Sequence, residues 1–197
     1  MARPSNTLQR RREIVLGLRQ AMAELGYERA TVADIAAAAG LTTGLVHYHF
    51  ANKLEILLAL IDNLAEELQQ RLDQKLATAG PVARTRLHAF IDVHLALGAA
   101  ADPQMLACWV VIGSEAVRQP LVQEAFQRVI AREMGVLEEL VAAALTEGSK
   151  KNRDARSIAA AIYASIEGYY VLAATAPHLI PAGSAAPTMH LLVDGLL

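Results

Sequence analysis

The stretch TVADIAAAAGLTTGLVHYHFANK, Thr31 to Lys53, decides the fold. Thr31 followed three residues later by Asp34 has the form of a capping box, which satisfies the free N–H groups at a helix start. Val32, Ile35, Ala36 and Ala39 then share one face, and Gly40 ends the helix after about two turns. Thr42 or Thr43 caps a third short helix that runs to about Phe50, anchored by Leu45, Val46 and Phe50. Asn52 caps a fourth. Two short helices around a tight Gly40-Leu41-Thr42 turn form a helix-turn-helix, a motif whose second helix enters the DNA major groove.

The flanking sequence is helical in both directions. Upstream, residues 9–25 carry Ile14, Leu18, Met22 and Leu25 at spacings of four, four and three, and Gly26 stops the helix. Downstream, Leu54 to Leu76 forms a long apolar stripe. Further helices are expected over about 81–98, 103–115, 120–146 and 154–176, with an irregular stretch at Pro177–Pro187 and a short closing helix. The expected architecture is all-α with about nine helices. Residues 1–52 form a three-helix helix-turn-helix domain and residues 53–197 a larger helical domain. The 38 Ala and 28 Leu among 197 residues agree with this, because Ala is a strong helix former and poor in strands.

Bulk properties narrow the function. The mean hydropathy of +0.28 is high, yet the uninterrupted apolar runs are short, Ile56–Ile61 and the nine residues of Met105–Gly113 among them. A spanning helix needs about 20 apolar residues, so no membrane segment is expected, and no signal-peptide core follows Met1. Cys108 is a single cysteine in an apolar run, which reads as a small buried hydrophobe. The expected location is the cytosol. The net charge of −2 hides an asymmetry. Residues 1–55 carry seven basic and five acidic groups, and the remainder eleven basic and fifteen acidic. Arg3, Arg10, Arg11 and Arg12 read as a flexible arm for phosphates or the minor groove. No nucleotide-binding or nucleophile-elbow motif is present, so no cofactor and no catalytic residue is assigned. His47 and His49 lie two apart on a helix and point in nearly opposite directions, so no metal site is assigned either.

The chemistry of the third helix suits DNA. Thr42 and Thr43 offer hydroxyls at a helix start, Gly44 permits close backbone approach, and His47, Tyr48 and His49 carry polar aromatic tips. At this point residues 9–60 resemble the N-terminal domain of TetR-family transcriptional regulators. The resemblance rests on Gly26-Tyr27, Thr31-Val32, Ile35-Ala36, Ala39-Gly40-Leu41-Thr42, Gly44-Leu45-Val46, His49-Phe50 and Asn52-Lys53 before Glu55-Ile56-Leu57. It implies an all-helical homodimer that binds a palindromic operator in double-stranded DNA, with a small-molecule effector that releases it. It also implies that Thr42, Thr43, Gly44 and Leu45 read or approach bases. His47 stands where the family usually has a phosphate-contacting Tyr, Tyr48 shares that role, and Lys53 matches a phosphate-binding Lys. Thr31, His49, Arg3 and Arg10 complete the expected DNA-facing set, with core packing the equal alternative for His49.

In the second domain, His88, Ile91, His94, Met105, Trp109, Phe126, Tyr163, Glu167 and Tyr170 are the candidate effector-binding residues. Trp109 reads equally as plain core. Glu167 is the one charge between Arg156 and Asp194, and a carboxylate in so apolar a helix needs a partner: across a dimer, on a cationic or hydroxylated ligand, or in water. The helix that contains it is apolar nearly all round, which points to burial on several sides. Ile158, Ile162, Gly168, Tyr169, Leu172, Leu191 and Leu192 are the candidate dimer residues. Two competing classes are a helical adaptor without DNA binding and a helical-bundle enzyme. The enzyme lacks a Glu-x-x-His pair or any convergent acid/base set.

Overall fold

The computed structural model describes residues 6–95, 103–150 and 152–197. Among these residues the chain is all-helical, with nine α-helices and no strand. They are α1 (Asn6–Leu25), α2 (Val32–Ala38), α3 (Thr43–His49), α4 (Lys53–Thr78), α5 (Ala83–Leu95), α6 (Pro103–Ala116), α7 (Pro120–Glu147), α8 (Ala155–Thr175) and α9 (Ala185–Leu196). A short 3-10 turn, Pro177–Leu179, lies inside the stretch expected to be irregular.

The chain divides into two compact units. The first comprises Met1–Ala65 and Pro103–Phe126, the second Glu66–Asp102 and Gln127–Leu197. In the first, α1 packs on α2, α3 and α6. The predicted stripe of α1 is the buried one: Ile14, Leu18 and Met22 face inward with Ile35, Val46, Phe50, Ile56 and Leu60. Burying each such side chain contributes about 1.5–3 kcal/mol. The capping box forms as expected. Thr31 Oγ1 accepts from the Asp34 N–H at 3.2 Å, and Asp34 accepts from the Thr31 N–H at 2.8 Å and from its hydroxyl at 2.6 Å. These bonds hold the Asp34 carboxyl below its usual value. Gly40 takes φ +66°, the left-handed conformation that turns the chain from α2 toward α3.

The arginine run departs from expectation. Helix α1 is already formed at Asn6, so Arg10, Arg11 and Arg12 are helical and not part of a flexible arm. Arg3 lies outside the described residues. The physical reason is continuity: nothing between Asn6 and Ile14 breaks a helix, and Gln9 and Arg10 each bond to Glu13 from within it.

In the second unit, α5 packs on α8 and α9. The N-terminus of α5 is capped from a distance: the Ala83 N–H donates to both carboxylate oxygens of Glu147, at 2.9 and 3.1 Å. A carboxylate there also opposes the positive end of the helix dipole. Helix α8 corrects one sequence inference. With 21 residues and a mean hydropathy of 1.3 over its best window, it is long and apolar enough by composition to cross a membrane. Its uninterrupted runs are short because Ser157, Ser165 and Glu167 break them. Its Ala159, Ile162, Tyr163, Ile166 and Tyr170 are buried inside the unit, and most of its other residues are half-buried or exposed.

The tightest helix approach is α1 on α2. A Cβ added at Gly17 would lie 2.6 Å from the Ile35 carbonyl oxygen and 3.0 Å from Ala39 Cβ. Gly17→Val is therefore expected to destabilise the fold by about 1–3 kcal/mol, a drop of roughly 5 °C in the thermal midpoint. Circular dichroism melting checks this; an unchanged midpoint would show that α1 and α2 can separate freely.

Candidate functional site

Helix α3 has seven residues and two unlike faces. Val46 is fully buried, Leu45 and His49 are half-buried, and Thr43, Gly44, His47 and Tyr48 are exposed on the opposite side. Spacings of one, three and one bring those four together. Thr42 is the N-cap, and its hydroxyl oxygen accepts from the Leu45 N–H at 3.3 Å. Its O–H remains available to donate outward. The Thr31 hydroxyl already donates to Asp34, so Thr31 has no such freedom. Tyr48 is 79% exposed and meets the His49 ring edge-on at 5.0 Å. No Lys or Arg stands on α3.

Lys53 and Arg10, two of the basic residues expected to reach phosphates, have partners within the unit. Lys53 Nζ donates to the carbonyls of Tyr27 at 2.7 Å, Ala30 at 2.9 Å and Glu28 at 3.3 Å. It also sits 4.4 Å from the centre of the Tyr27 ring. It thus fastens the start of α4 to the loop between α1 and α2. Burial pushes its ammonium below the usual value, and the Glu115 and Glu28 carboxylates oppose that shift. Arg10 pairs with Glu13 at 2.7 Å.

Arg11 has a role that the sequence reading missed. Its guanidinium donates to the His49 carbonyl at the end of α3. It lies 3.9 Å from the centre of the Phe50 ring and 3.9 Å from Glu55 Oε1. Glu55 in turn accepts from the Ala51 N–H at 2.7 Å, and its own N–H donates to Asn52 Oδ1 at 2.9 Å. The turn after α3 is therefore braced from α1 and α4 together. Three oriented partners suit the flat guanidinium fork better than they would suit an ammonium.

The candidate effector residues fall in both units. In the first, Trp109 and Phe126 stack at 5.1 Å with a 40° tilt, and Met105 is half-buried. In the second, Ile91 is fully buried core. His94, Tyr163, Glu167 and Tyr170 form one group there. Tyr163 lies 6.2 Å ring to ring from His94, and Glu167 acts on its hydroxyl. Burial, then the Glu167 charge, pushes both tyrosine hydroxyls far above their ordinary range, so they stay neutral. His88 does not join them. Its Nε2 meets Asp194 at 2.9 Å and its ring stacks on His190 at 4.1 Å, against α9.

Glu133 was also missed, although a signal was available. It follows Val129 by four residues and precedes Leu137 by four, a charge on the apolar stripe of α7. In the structure it is fully buried beside His94.

Of the candidate dimer residues, Leu172, Leu191 and Leu192 are 46%, 75% and 58% exposed. Gly168 is also exposed, and Ile158 and Tyr169 are half-buried. Ile162 is withdrawn from that set: it is 3% exposed and packs within its own unit, because it lies one position before Tyr163 and four before Ile166, on the core face.

Comparison with known proteins agrees with the geometry. Residues 14–60 match the family described as bacterial regulatory proteins, tetR family. Residues 83–197 match the family described as BetI-type transcriptional repressor, C-terminal. The transcriptional regulator CymR of Pseudomonas putida is 28% identical over 151 residues, 75% of this chain and 71% of that protein. The regulator BetI of Brucella anthropi is 30% identical over 172 residues, 86% of this chain and 85% of that one. The crystal structure of a regulator from Saccharomonospora viridis in complex with choline superposes with a TM-score of 0.81 at 21% identity, covering 95% of each chain. The regulator FadR of Bacillus subtilis in complex with stearoyl-CoA superposes with a TM-score of 0.78 at 19% identity, covering 92% of this chain and 96% of that one.

The Arg11 brace and a phosphate contact predict different salt behaviour. Arg11→Met is expected to weaken binding to duplex DNA while leaving the slope of log affinity against log salt unchanged. Replacing a phosphate-contacting cation would flatten that slope by about one unit. Fluorescence anisotropy across a salt series checks this; a flattened slope for Arg11→Met would place the guanidinium on the DNA.

Proposed function

We propose that this chain, which belongs to the TetR family of bacterial regulatory proteins, is a repressor that binds a palindromic operator as a homodimer and leaves it when a small molecule occupies its C-terminal helices. Membership makes it a ligand-responsive, DNA-binding transcriptional regulator and not an enzyme. The observation that carries the finer reading is the exposed face of α3. Thr43, Gly44, His47 and Tyr48 stand outward at the start of a helix whose other side is locked into the fold. Hydroxyls and a bare backbone at a helix N-terminus suit base edges and phosphate oxygens alike. The match of residues 83–197 to BetI-type repressors supports repression over activation.

The exposed Leu172, Leu191 and Leu192 on α8 and α9 support self-association. A two-fold pair of such surfaces would present two α3 helices. An operator of two inverted half-sites, one helical turn or about 34 Å apart, is the DNA counterpart of that symmetry. Residues 1–52 then carry the DNA contacts, and residues 53–197 carry the effector and the partner copy. Such a protein works in the bacterial cytoplasm, on the chromosome. Its relatives in fold hold choline in one case and stearoyl-CoA in another. The fold alone therefore leaves the effector's class open.

Two measurements test the reading. Sedimentation should give a dimer, and footprinting upstream of the chain's own gene should protect an inverted repeat. The double change Leu172→Asp, Leu191→Asp should give a monomer and weaken operator binding by about 100-fold or more, since the second half-site is then no longer bound intramolecularly. A wild-type monomer that protects a single, unrepeated site would overturn the dimeric reading.

A further inference from the structure

The exposed face of α3 carries one imidazole that nothing in the protein holds. His47 is exposed, and among the described residues its ring makes no hydrogen bond, ion pair or ring contact. Its neighbours on the helix differ. Tyr48 and His49 meet edge to face at 5.0 Å, and His49 is half-buried, with its carbonyl taken by Arg11. Helices α1 and α2 pack on α3, and α4 follows it through a short turn. None of their charged groups pairs with His47. On α1, Arg10 pairs with Glu13, Arg11 with Glu55, Glu24 accepts from Gln20 at 3.2 Å, and Arg19 is buried. Asp34 on α2 is held by Thr31. On α4, Lys53 donates to backbone carbonyls and Glu55 accepts from the Ala51 N–H. Arg12 on α1 and Arg29 in the turn before α2 are exposed, and a guanidinium keeps its charge at any working pH. Of the side-chain types on the exposed face, only an imidazole changes its charge between about pH 5 and 8.

The place of His47 on the helix decides what it can meet. The first residues of a recognition helix address base edges. Thr42 and Thr43 hold that place, and His47 follows Thr43 one turn later on the same exposed face. The acceptor that the duplex backbone offers to such a position is a phosphate oxygen. A neutral imidazole donates one N–H bond to that oxygen. The charged ring donates the same bond with charge assistance, and such bonds are roughly twice as strong. A phosphate therefore favours the charged ring over the neutral one, and the complex takes up a proton as it forms. The sign follows from linkage. The added affinity is fully present below the pH range in which the free ring charges, and it is lost as pH rises through the range in which the bound ring discharges. Helix α3 carries no Lys or Arg whose permanent charge would mask the effect.

We propose that His47 is a pH-sensitive phosphate contact: its protonated ring donates to a phosphate oxygen, so that operator binding takes up about one proton per half-site and tightens as pH falls from about 8 to about 6. The inference rests on the reading above that the exposed face of α3 meets DNA, and it gives that face a response to acidity that needs no effector.

Fluorescence anisotropy tests it on the full-length protein, with a labelled duplex of about 30 base pairs that carries the protected inverted repeat. Binding is measured at about pH 6 and about pH 8, each across a salt series. Wild type should bind about tenfold or more tightly at the lower pH, with a salt slope steeper there by about one unit per half-site. His47→Gln, which keeps a neutral donor, should lose most of both differences. His47→Lys, with a charge at both pH values, should bind tightly at both. His49→Gln should keep the pH dependence whatever its effect on affinity, and histidines elsewhere in the chain are common to all the variants. Equal wild-type affinity at the two pH values, an undiminished pH dependence in His47→Gln, or a pH dependence without a change in salt slope would each overturn the proposal. Thr43→Ala separates that failure from a failure of the reading beneath it. A flat pH response with altered sequence preference in Thr43→Ala would overturn the proposal alone. A flat response with Thr43→Ala indistinguishable from wild type would overturn the placement of α3 on DNA as well.

Discussion

A helix of seven residues makes too few internal hydrogen bonds to persist alone. Isolated helices below about 12–15 residues are marginal in water. Helix α3 exists because its neighbours hold both its ends and its buried face. Thr42 caps the start, the Arg11 guanidinium takes the carbonyl of His49 at the end, and Val46 and Phe50 fill the core of the first unit. Gly17 lets α1 come close enough to α2 for that core to close. Lys53 ties the loop between α1 and α2 to the start of α4 through three carbonyls. The face of α3 proposed to meet DNA is the one side of the helix that this scaffold leaves open.

This has a chemical consequence. Arg11, the cation that touches α3, is engaged in holding its end, and the exposed face of the helix is built from hydroxyls, exposed backbone and aromatic tips. Phosphate contact by helix N-termini and neutral donors positions a protein with fewer released counter-ions than an arginine-rich face would.

The helical class, the nine elements and the capping at Thr31 and Thr42 were legible because each depends on local spacing. The positions of Thr43, Gly44, His47 and Tyr48 on one exposed face were legible for the same reason. The partners of Arg11 and Lys53 were not, because they lie 38 and about 25 residues away, and a basic residue beside a DNA-binding motif reads most naturally as a phosphate ligand. Ile162 was misplaced because α8 is apolar on every side, which removes the contrast that tells a core face from an interface. Glu133 was overlooked for the opposite reason. It lies in a charged run, Arg132-Glu133, that looks solvated until the four-residue spacing to Val129 and Leu137 is noticed.

That spacing also bears on how a ligand could act. A carboxylate on the inner stripe of α7 costs stability unless something meets it, whereas an apolar residue there would pack without penalty. A ligand shifts a regulator only through a difference in its affinity for two states. A buried charge supplies such a difference readily, because its energy changes steeply with small movements of its counter-charge in a low-dielectric setting.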